Sequence, residues 1–211
     1  MTASVVSAPL SAALSQQVFR ATLDVLARPG TIQRLPVGED ADARAAGRMD
    51  APPAALLPLL ALADLTTPAC VLADDAADSG WADVVRAMTS AAAVPLAQAT
   101  LVAALRPVSV AELASLRTGS SAAPEDGALA CLSVTGLRPA ADGADEHVLR
   151  LSGPGIPETR RLVATGLPSG FVAARRELTS GFPAGVDLLL ITARGDIAGL
   201  PRTTLLEEET R

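Results

Sequence analysis

Apolar residues recur every three or four positions near the start of the chain. The repeat runs from residue 11 to residue 27 and is formed by Leu14, Val18, Ala21 and Val25, with Phe19, Leu23 and Leu26 beside them. This spacing predicts an amphipathic helix over 11–27. The segment Arg28-Pro29-Gly30 ends the helix, because proline disfavours helical backbone at the residue before it and glycine accepts the positive φ of an exit turn.

The rest of the chain alternates between apolar runs and segments rich in turn residues. Residues 53–65 are almost continuously apolar and long enough to favour a buried helix. Residue 109 opens a capping-box pattern, Ser-Val-Ala-Glu, which starts another helix. Further helices are predicted over 81–88 and 169–178, and strands over 31–35, 69–73, 100–105, 128–135, 147–152, 158–163, 186–192 and 197–200.

Turn residues indicate how some of these strands pair. Asp142-Gly143 predicts a hairpin between strands 128–135 and 147–152, and Gly195 predicts another between 186–192 and 197–200. Strands alternate with helices at first and then pair as hairpins, which is typical of a layered α/β fold with a mixed sheet.

The length of the chain fits one domain. No repeat or linker divides the 211 residues, so a single domain over 1–211 is expected, with flexible tails at about 1–10 and 206–211.

Composition narrows the possible functions. The chain has three Phe, one Trp and no Tyr, so the core must consist of Leu, Val and Ala, and platforms for stacking bases are scarce. The net charge is −6 and no basic run is present, which argues against duplex binding. Every cation is an arginine. The absence of lysine excludes a Schiff base to pyridoxal phosphate and a Walker A lysine.

Cysteine and histidine usage argues against a disulfide or a zinc site. Cys70 and Cys131 lie in apolar, strand-like runs, which is typical of buried thiols in a reducing compartment, and there is only one histidine. The N-terminus lacks the basic and long apolar regions of a signal peptide, and no segment is a membrane span. A soluble, cytoplasmic protein is expected.

Three loops combine arginine, glycine and hydroxyl side chains, which are groups that bind oxyanions. They are residues 151–161 (LSGPGIPETRR), 199–204 (GLPRTT) and 116–121 (LRTGSS). No helix directly follows the glycines of the first loop, so a tight turn between strands is favoured over a phosphate cradle. An ordinary strand exit and an ordinary helix C-terminus are favoured for the other two. No catalytic base or nucleophile can be assigned from the residues.

Taken in order, six segments resemble one known family. They are FR at 19–20 with ARPGTI at 27–32, LLALADLTTPACVLAD at 59–74, RTGSSAAPEDGA at 117–128, LRLSGPGI at 149–156, FPAGVDLLLI at 182–191 and GLPRTT at 199–204. The chain thereby resembles the PhnH family, a subunit of the bacterial carbon–phosphorus lyase system for phosphonate use, from about residue 14 to 205.

The resemblance implies a fold and a set of partners. The fold would be an α/β/α sandwich related to pyridoxal-phosphate-dependent transferases but without a pyridoxal phosphate site, and the chain would form a homodimer. Its partners would be PhnG, PhnI, PhnJ and PhnL. With PhnG, PhnI and PhnL it would support displacement of adenine from ATP by a phosphonate, which gives α-D-ribose 1-methylphosphonate 5-triphosphate. ATP would be a substrate of the complex, and no covalently bound cofactor or metal is implied.

The resemblance also selects candidate residues for contact with a substrate or a partner. They are Arg150, Gly153, Gly155, Arg202 and Thr203, with Arg20 and Arg28 as weaker candidates. Two roles remain open at this point. The chain could be a structural subunit that is inactive alone, or its arginine loops could bind ATP or the phosphonate directly.

Overall fold

The described residues form ten β-strands. The structure is a computed structural model that describes residues 10–38, 52–74, 76–141 and 147–210. The strands are β1 Ile32–Arg34, β2 Ala69–Leu72, β3 Leu101–Ala104, β4 Leu129–Val134, β5 Gly136–Pro139, β6 His147–Ser152, β7 Arg160–Thr165, β8 Asp187–Thr192, β9 Asp196–Leu200 and β10 Leu205–Thr210.

Six of these strands form the main sheet, in the order β1-β9-β8-β4-β3-β2. Strands β2, β3, β4 and β8 run parallel to one another, whereas β9 runs antiparallel to both β8 and β1. The mixed sheet is therefore confirmed, and so is the hairpin predicted at Gly195, which joins β8 to β9.

The other four strands form a separate antiparallel sheet, in the order β10-β6-β7-β5. The predicted hairpin between 128–135 and 147–152 is therefore wrong, because β4 lies in the main sheet and β6 in the second. The two strands differ in their exposed faces. β4 buries both Cys131 and Leu132 on opposite faces, as a central strand must, whereas β6 buries Leu149 and exposes Arg150, as a sheet with one wet face requires. Asp142-Gly143 lies outside the described residues.

The helices in the described part of the chain are α1 Ala12–Ala27, α2 Leu57–Leu62, α3 Ala76–Thr89, α4 Val110–Ala114 and α5 Phe171–Leu178. The helix predicted over 53–65 is a 3₁₀ turn, Ala54–Leu56, followed by α2. It ends early because the Asp64 carboxylate accepts hydrogen bonds from the turn that follows, including one of 2.9 Å from the Thr66 N–H. No helix in these described ranges is both long and apolar enough to cross a membrane.

The main sheet separates two apolar cores. One face packs against α1, α2 and α3 through residues such as Cys131 and Leu189. The opposite face packs against α4, α5 and the inner side of the second sheet through residues such as Leu132 and Leu190. Three layers are thus present, but the third contains a sheet as well as helices, which the expected α/β/α sandwich did not include.

Residues 206–210 belong to the fold. Residues 206–211 were expected to form a flexible tail, but β10 pairs along its whole length with β6, from Leu205 opposite Ser152 to Thr210 opposite His147. Leu206 is 7% exposed and belongs to the core between the two sheets. The acidic run at 207–209 hid this strand in the sequence. Of the other expected tail, at 1–10, only the buried Leu10 lies within the described residues.

Candidate functional site

The Gly-Pro-Gly turn after β6 lies against the loop that precedes β10. Gly153 has a φ of +124°, and a Cβ atom at this position would lie 2.8 Å from the carbonyl oxygen of Thr203. The pairing of β6 with β10 continues into these two loops, which brings their backbones into contact. Glycine is needed here because no side chain fits between them.

The same turn also rests on the end of α1. Gly155 has a φ of +79°, and a Cβ atom there would overlap the carbonyl oxygen of Ala27 and lie 3.0 Å from Cδ of Pro29. The segments 27–30, 152–156 and 201–204 therefore meet, although they are far apart in the sequence. The neighbour that the glycines admit is the backbone of this chain itself.

Arg202 is held by a fixed set of partners within the chain. Its Nη2 lies 2.7 Å and its Nε 3.1 Å from Oδ2 of Asp187, and its own backbone N–H donates to Oδ1 of the same carboxylate at 2.7 Å. Its Nη1 donates to the carbonyl oxygens of Pro124 at 2.6 Å and Pro183 at 3.2 Å. All three guanidinium nitrogens thus have partners, and the residue joins three backbone segments.

A second arginine, which is buried, lies beside this network. Arg175 of α5 is 2% exposed, and its Nη2 donates to the carbonyl oxygen of Pro201 at 2.5 Å. Burial lowers the pKa of Arg175 to about 10, while the negative charge of Asp187 acts in the opposite direction. The Asp187 carboxylate therefore stabilises two guanidinium groups.

Arg150 points to the outer face of the second sheet. Its Nη1 lies 2.9 Å from Oε2 of Glu207, directly across on β10, and its Nε lies 3.9 Å from Oε1 of Glu209. Arg161 on the other neighbouring strand donates from Nε to Oε2 of Glu209 at 2.9 Å. These side chains form a ladder of ion pairs across three strands on a solvated surface.

The remaining predicted residues lie in two places. Thr203 is partly buried in the loop before β10, and its side chain forms no hydrogen bond with another described residue. Arg20 and Arg28 are exposed on α1 and at its end, and Arg28 forms an ion pair with Asp24. The structure thus brings Gly153, Gly155 and Thr203 together and places Arg150, Arg202 and Arg20 on separate surfaces or networks.

The third loop with groups that could bind an oxyanion, 116–121, is also held by contacts within the chain. Arg117 donates from Nη2 to Oδ2 of Asp126 at 2.5 Å, and the carbonyl oxygen of Thr118 accepts the N–H of Gly185 at 2.7 Å. These bonds close the loop onto the N-terminal ends of β4 and β8.

An arginine and a glutamate form a strong pair next to β3. Arg106 Nη1 donates to Oε2 of Glu112 at 3.1 Å, and the same carboxylate accepts the backbone N–H of Ser109 at 2.8 Å in the capping box of α4. Hydrogen bonds from Arg106 and then from Ser109 lower the pKa of Glu112 to about 2. The capping box predicted from the sequence is thereby confirmed.

An open cleft of about 650 Å³ lies between the second sheet and the start of α5. None of the seven predicted residues lines it. Its polar and aromatic lining includes Arg138, Thr165, Ser169, Phe171 and Glu208.

Both cysteines are at least partly buried, and burial favours the neutral thiol over the thiolate. Cys131 is buried, which raises the pKa of its thiol to about 12, and burial also raises the pKa of the partly buried Cys70 thiol. Both thiols are free, as the sequence predicted. Within the described ranges, no cluster of three His, Cys, Asp or Glu side chains could hold a metal ion.

Comparison with known proteins places the chain in a family. The family described as "Bacterial phosphonate metabolism protein (PhnH)" matches residues 10–207. The chain belongs to the PhnH family. It is also similar to a protein of Stutzerimonas stutzeri that carries the name C-P lyase subunit protein HtxG, with 31% identity over 189 residues, which are 90% of this chain and 84% of that protein. The PhnH match confirms the resemblance inferred from the six segments.

Two residues of the PhnH-family chain that organise the Arg202 network were not predicted from the sequence. Arg175 follows Phe171 by four residues and precedes Leu178 by three, so it lies on the buried face of α5. Asp187 begins the strongly apolar β8. In each case the available signal was a charge at a position where the pattern calls for an apolar residue.

Proposed function

We propose that this chain is a structural subunit of the carbon–phosphorus lyase complex, and that it supports the chemistry of other subunits without contributing a catalytic group. The observation that carries the proposal is the state of Arg202, the residue most suited to an anionic substrate. Its guanidinium nitrogens are occupied by Asp187, Pro124 and Pro183 inside the chain. An arginine held in this way has little capacity left to bind a phosphate.

The other predicted residues support the same interpretation. Gly153 and Gly155 give space to the chain's own backbone, and Arg150 is paired with Glu207 on a solvated sheet surface. These contacts stabilise the fold and its surface. They do not converge on a common point where a reacting atom could lie.

The reaction that we propose for the whole complex is the displacement of adenine from ATP by a phosphonate. The product would be α-D-ribose 1-methylphosphonate 5-triphosphate, and the chain would act with PhnG, PhnI and PhnL, in a core that also contains PhnJ. The similar protein HtxG is named as a C-P lyase subunit protein, and this name supports membership of such a complex.

We also propose that the fold is a relative of the pyridoxal-phosphate-dependent transferases that has no aldimine chemistry. The main mixed sheet with helices on both faces supports the kinship. The sequence supports the loss of cofactor chemistry, because it contains no lysine that could form an internal aldimine.

The test is phosphorus NMR of ATP and methylphosphonate with the purified partner subunits. Reactions would contain no PhnH-family chain, the unmodified chain, or its Arg150→Ala variant, and one further reaction would contain the unmodified chain without the partner subunits. We expect the ribose phosphonate triphosphate only when the chain is present, and in equal amount with the variant, since Arg150 acts on the sheet surface.

Two results would count against the proposal. Turnover of ATP and methylphosphonate by the chain alone would make it an enzyme in its own right. Loss of product with the Arg150→Ala variant, while the variant still assembles with the other subunits, would support a direct role of Arg150 in binding substrate.

A further inference from the structure

The solvent side of α1 carries large apolar side chains where a surface helix normally carries charge. Phe19 is 41% exposed and Leu23 is 50% exposed. The two residues are four apart on one helix, so their side chains are neighbours on the same face. The core face of α1 is a different one, formed by Leu14, Val18, Thr22 and Val25.

The charges on this helix are uneven. Arg20 is exposed directly beside Phe19, and no described residue forms a hydrogen bond or ion pair with its guanidinium. Asp24 is the one acidic residue of α1, and it is already engaged by Arg28 and by a 2.7 Å hydrogen bond from Nε2 of Gln33. The exposed face therefore combines an aromatic ring, an aliphatic side chain and an unpaired cation, with no carboxylate free to pair with it.

We propose that this face, defined by Gln16, Phe19, Arg20, Leu23 and Ala27, docks another subunit of the carbon–phosphorus lyase complex. The inference rests on the proposed function and identifies the surface through which the chain would join the complex. Interface centres are enriched in aromatic residues and arginine and depleted of acidic residues and lysine, which matches this composition. The complementary partner surface is apolar and presents a carboxylate to Arg20.

The charge pattern argues against a second copy of this chain as the occupant. Two such faces packed together would bring two Arg20 guanidinium groups to one seam, where neither face supplies a free carboxylate. A different chain that places an acidic group opposite Arg20 avoids this repulsion between like charges. The net charge of −6 makes this cationic spot on α1 an attractive point for an acidic partner surface.

The experiment measures binding of the chain to the co-purified PhnG, PhnI and PhnJ subunits. Two variants alter the face: a Phe19→Ser/Leu23→Ser double variant, and Arg20→Glu. Leu205→Ser is the control for the double variant, because Leu205 is 68% exposed on another surface, and Arg194→Glu is the control for the charge reversal. Thermal unfolding verifies that all four variants are folded.

We expect each α1 variant to bind at least about tenfold more weakly, because truncating a central aromatic or arginine anchor commonly costs more than the free energy of a tenfold change. The controls should bind like the unmodified chain. Unchanged binding of both α1 variants to the subunits would overturn docking at this face. Variants that bind the subunits normally but no longer self-associate would also overturn it, because the face would then contact a second copy of this chain. Failure of the unmodified chain to bind any of the subunits would overturn the proposed function itself.

Discussion

Arg202 shows at the scale of single residues how an arginine with the appearance of an anion ligand can be a structural link. Its side chain is 15% exposed and joins the start of β8 to the loops at Pro124 and Pro183. Asp187, the carboxylate that it pairs with, also lies within the field of the buried Arg175. Removing the guanidinium therefore leaves Oδ2 of Asp187 and two carbonyl groups without these donors, while the backbone N–H of residue 202 still donates to Oδ1.

We predict that Arg202→Ala lowers the free energy of unfolding by about 3 kcal/mol, because one partner of a largely buried ion pair is lost while the other remains. Urea denaturation measures the change. The matched control is Arg194→Ala, an exposed position where the loss should stay within about 0.5 kcal/mol. Equal stability of the two variants would contradict the structural role of Arg202.

The Gly-Pro-Gly turn allows a second prediction at this scale. Gly155→Ala should destabilise the protein by at least about 2 kcal/mol, because alanine disfavours the left-handed backbone and its Cβ would overlap the Ala27 carbonyl. Gly80→Ala is the control, because a Cβ on Gly80 in α3 would meet no other atom within 4 Å. That change should stabilise the helix by about 1 kcal/mol. A stable Gly155→Ala variant in thermal unfolding would refute the close contact between the turn and α1.

At the scale of elements, the second sheet depends on a strand at the end of the chain. β10 supplies Leu206 to the core and Glu207 and Glu209 to the ion pairs on the outer face. Leu206 is buried between the exposed Leu205 and Glu207, as expected for a sheet with one face on the core and one in water.

Leu206 and Leu205 are adjacent residues of the same type, which makes them a matched pair. We predict that Leu206→Ala costs about 2–5 kcal/mol of unfolding free energy, because Leu206 is 7% exposed and its removal leaves a cavity. Leu205→Ala should be nearly neutral, because Leu205 is 68% exposed. Equal effects of the two substitutions in denaturant titrations would restore the prediction of a flexible tail.

The stability that the connection from β3 to α4 gives the fold should depend on pH, because it involves the ionised carboxylate of Glu112. The pKa of this group is lowered in the folded chain from 4.5 to about 2. The ionised carboxylate therefore adds its full share to the free energy of unfolding above pH 4.5, and this share is lost as the pH falls through about 2. We predict that the difference in unfolding free energy between the unmodified chain and Glu112→Gln is constant above about pH 5 and shrinks below it. A difference that does not vary between pH 6 and pH 2 would rule out the pairing with Arg106.

At the scale of the whole molecule, apolar side chains remain exposed on surfaces other than α1. Leu65 is 75% exposed and Phe182 is 65% exposed, so more than one face can take part in assembly. A PhnH-family chain in a multi-subunit complex needs several contact surfaces. The homodimer that the family resemblance implies would use one that is separate from the exposed face of α1.

We predict that the isolated chain sediments at micromolar concentration with about twice its formula mass of 21.3 kDa. The Phe19→Ser/Leu23→Ser variant should sediment in the same way, because the proposed face of α1 contacts a different subunit. A monomer of the unmodified chain in sedimentation equilibrium would contradict the dimer. A change of mass in the variant alone would place the dimer contact on α1.

Local interactions determined much of what the sequence predicted correctly. The first helix, the capping box at Ser109 and the β8–β9 hairpin depend on residues close together in the chain, so their spacing and turn residues are sufficient to predict them. The absence of lysine and the six family segments likewise come from the sequence alone, and the segments gave the family.

The tertiary structure decided what depends on contacts between distant residues. β4 and β6 belong to different sheets, in keeping with their different exposed faces. The run of glutamates is a strand that pairs with β6, where its carboxylates meet Arg150 directly across and Arg161 from the next strand. The structural role of Arg202 depends on the folded chain, because only there do Asp187 and two distant carbonyl groups lie within hydrogen-bond distance of its guanidinium. Sequence pattern can show that a side chain has donors to offer, but the partners that occupy them are set by the fold.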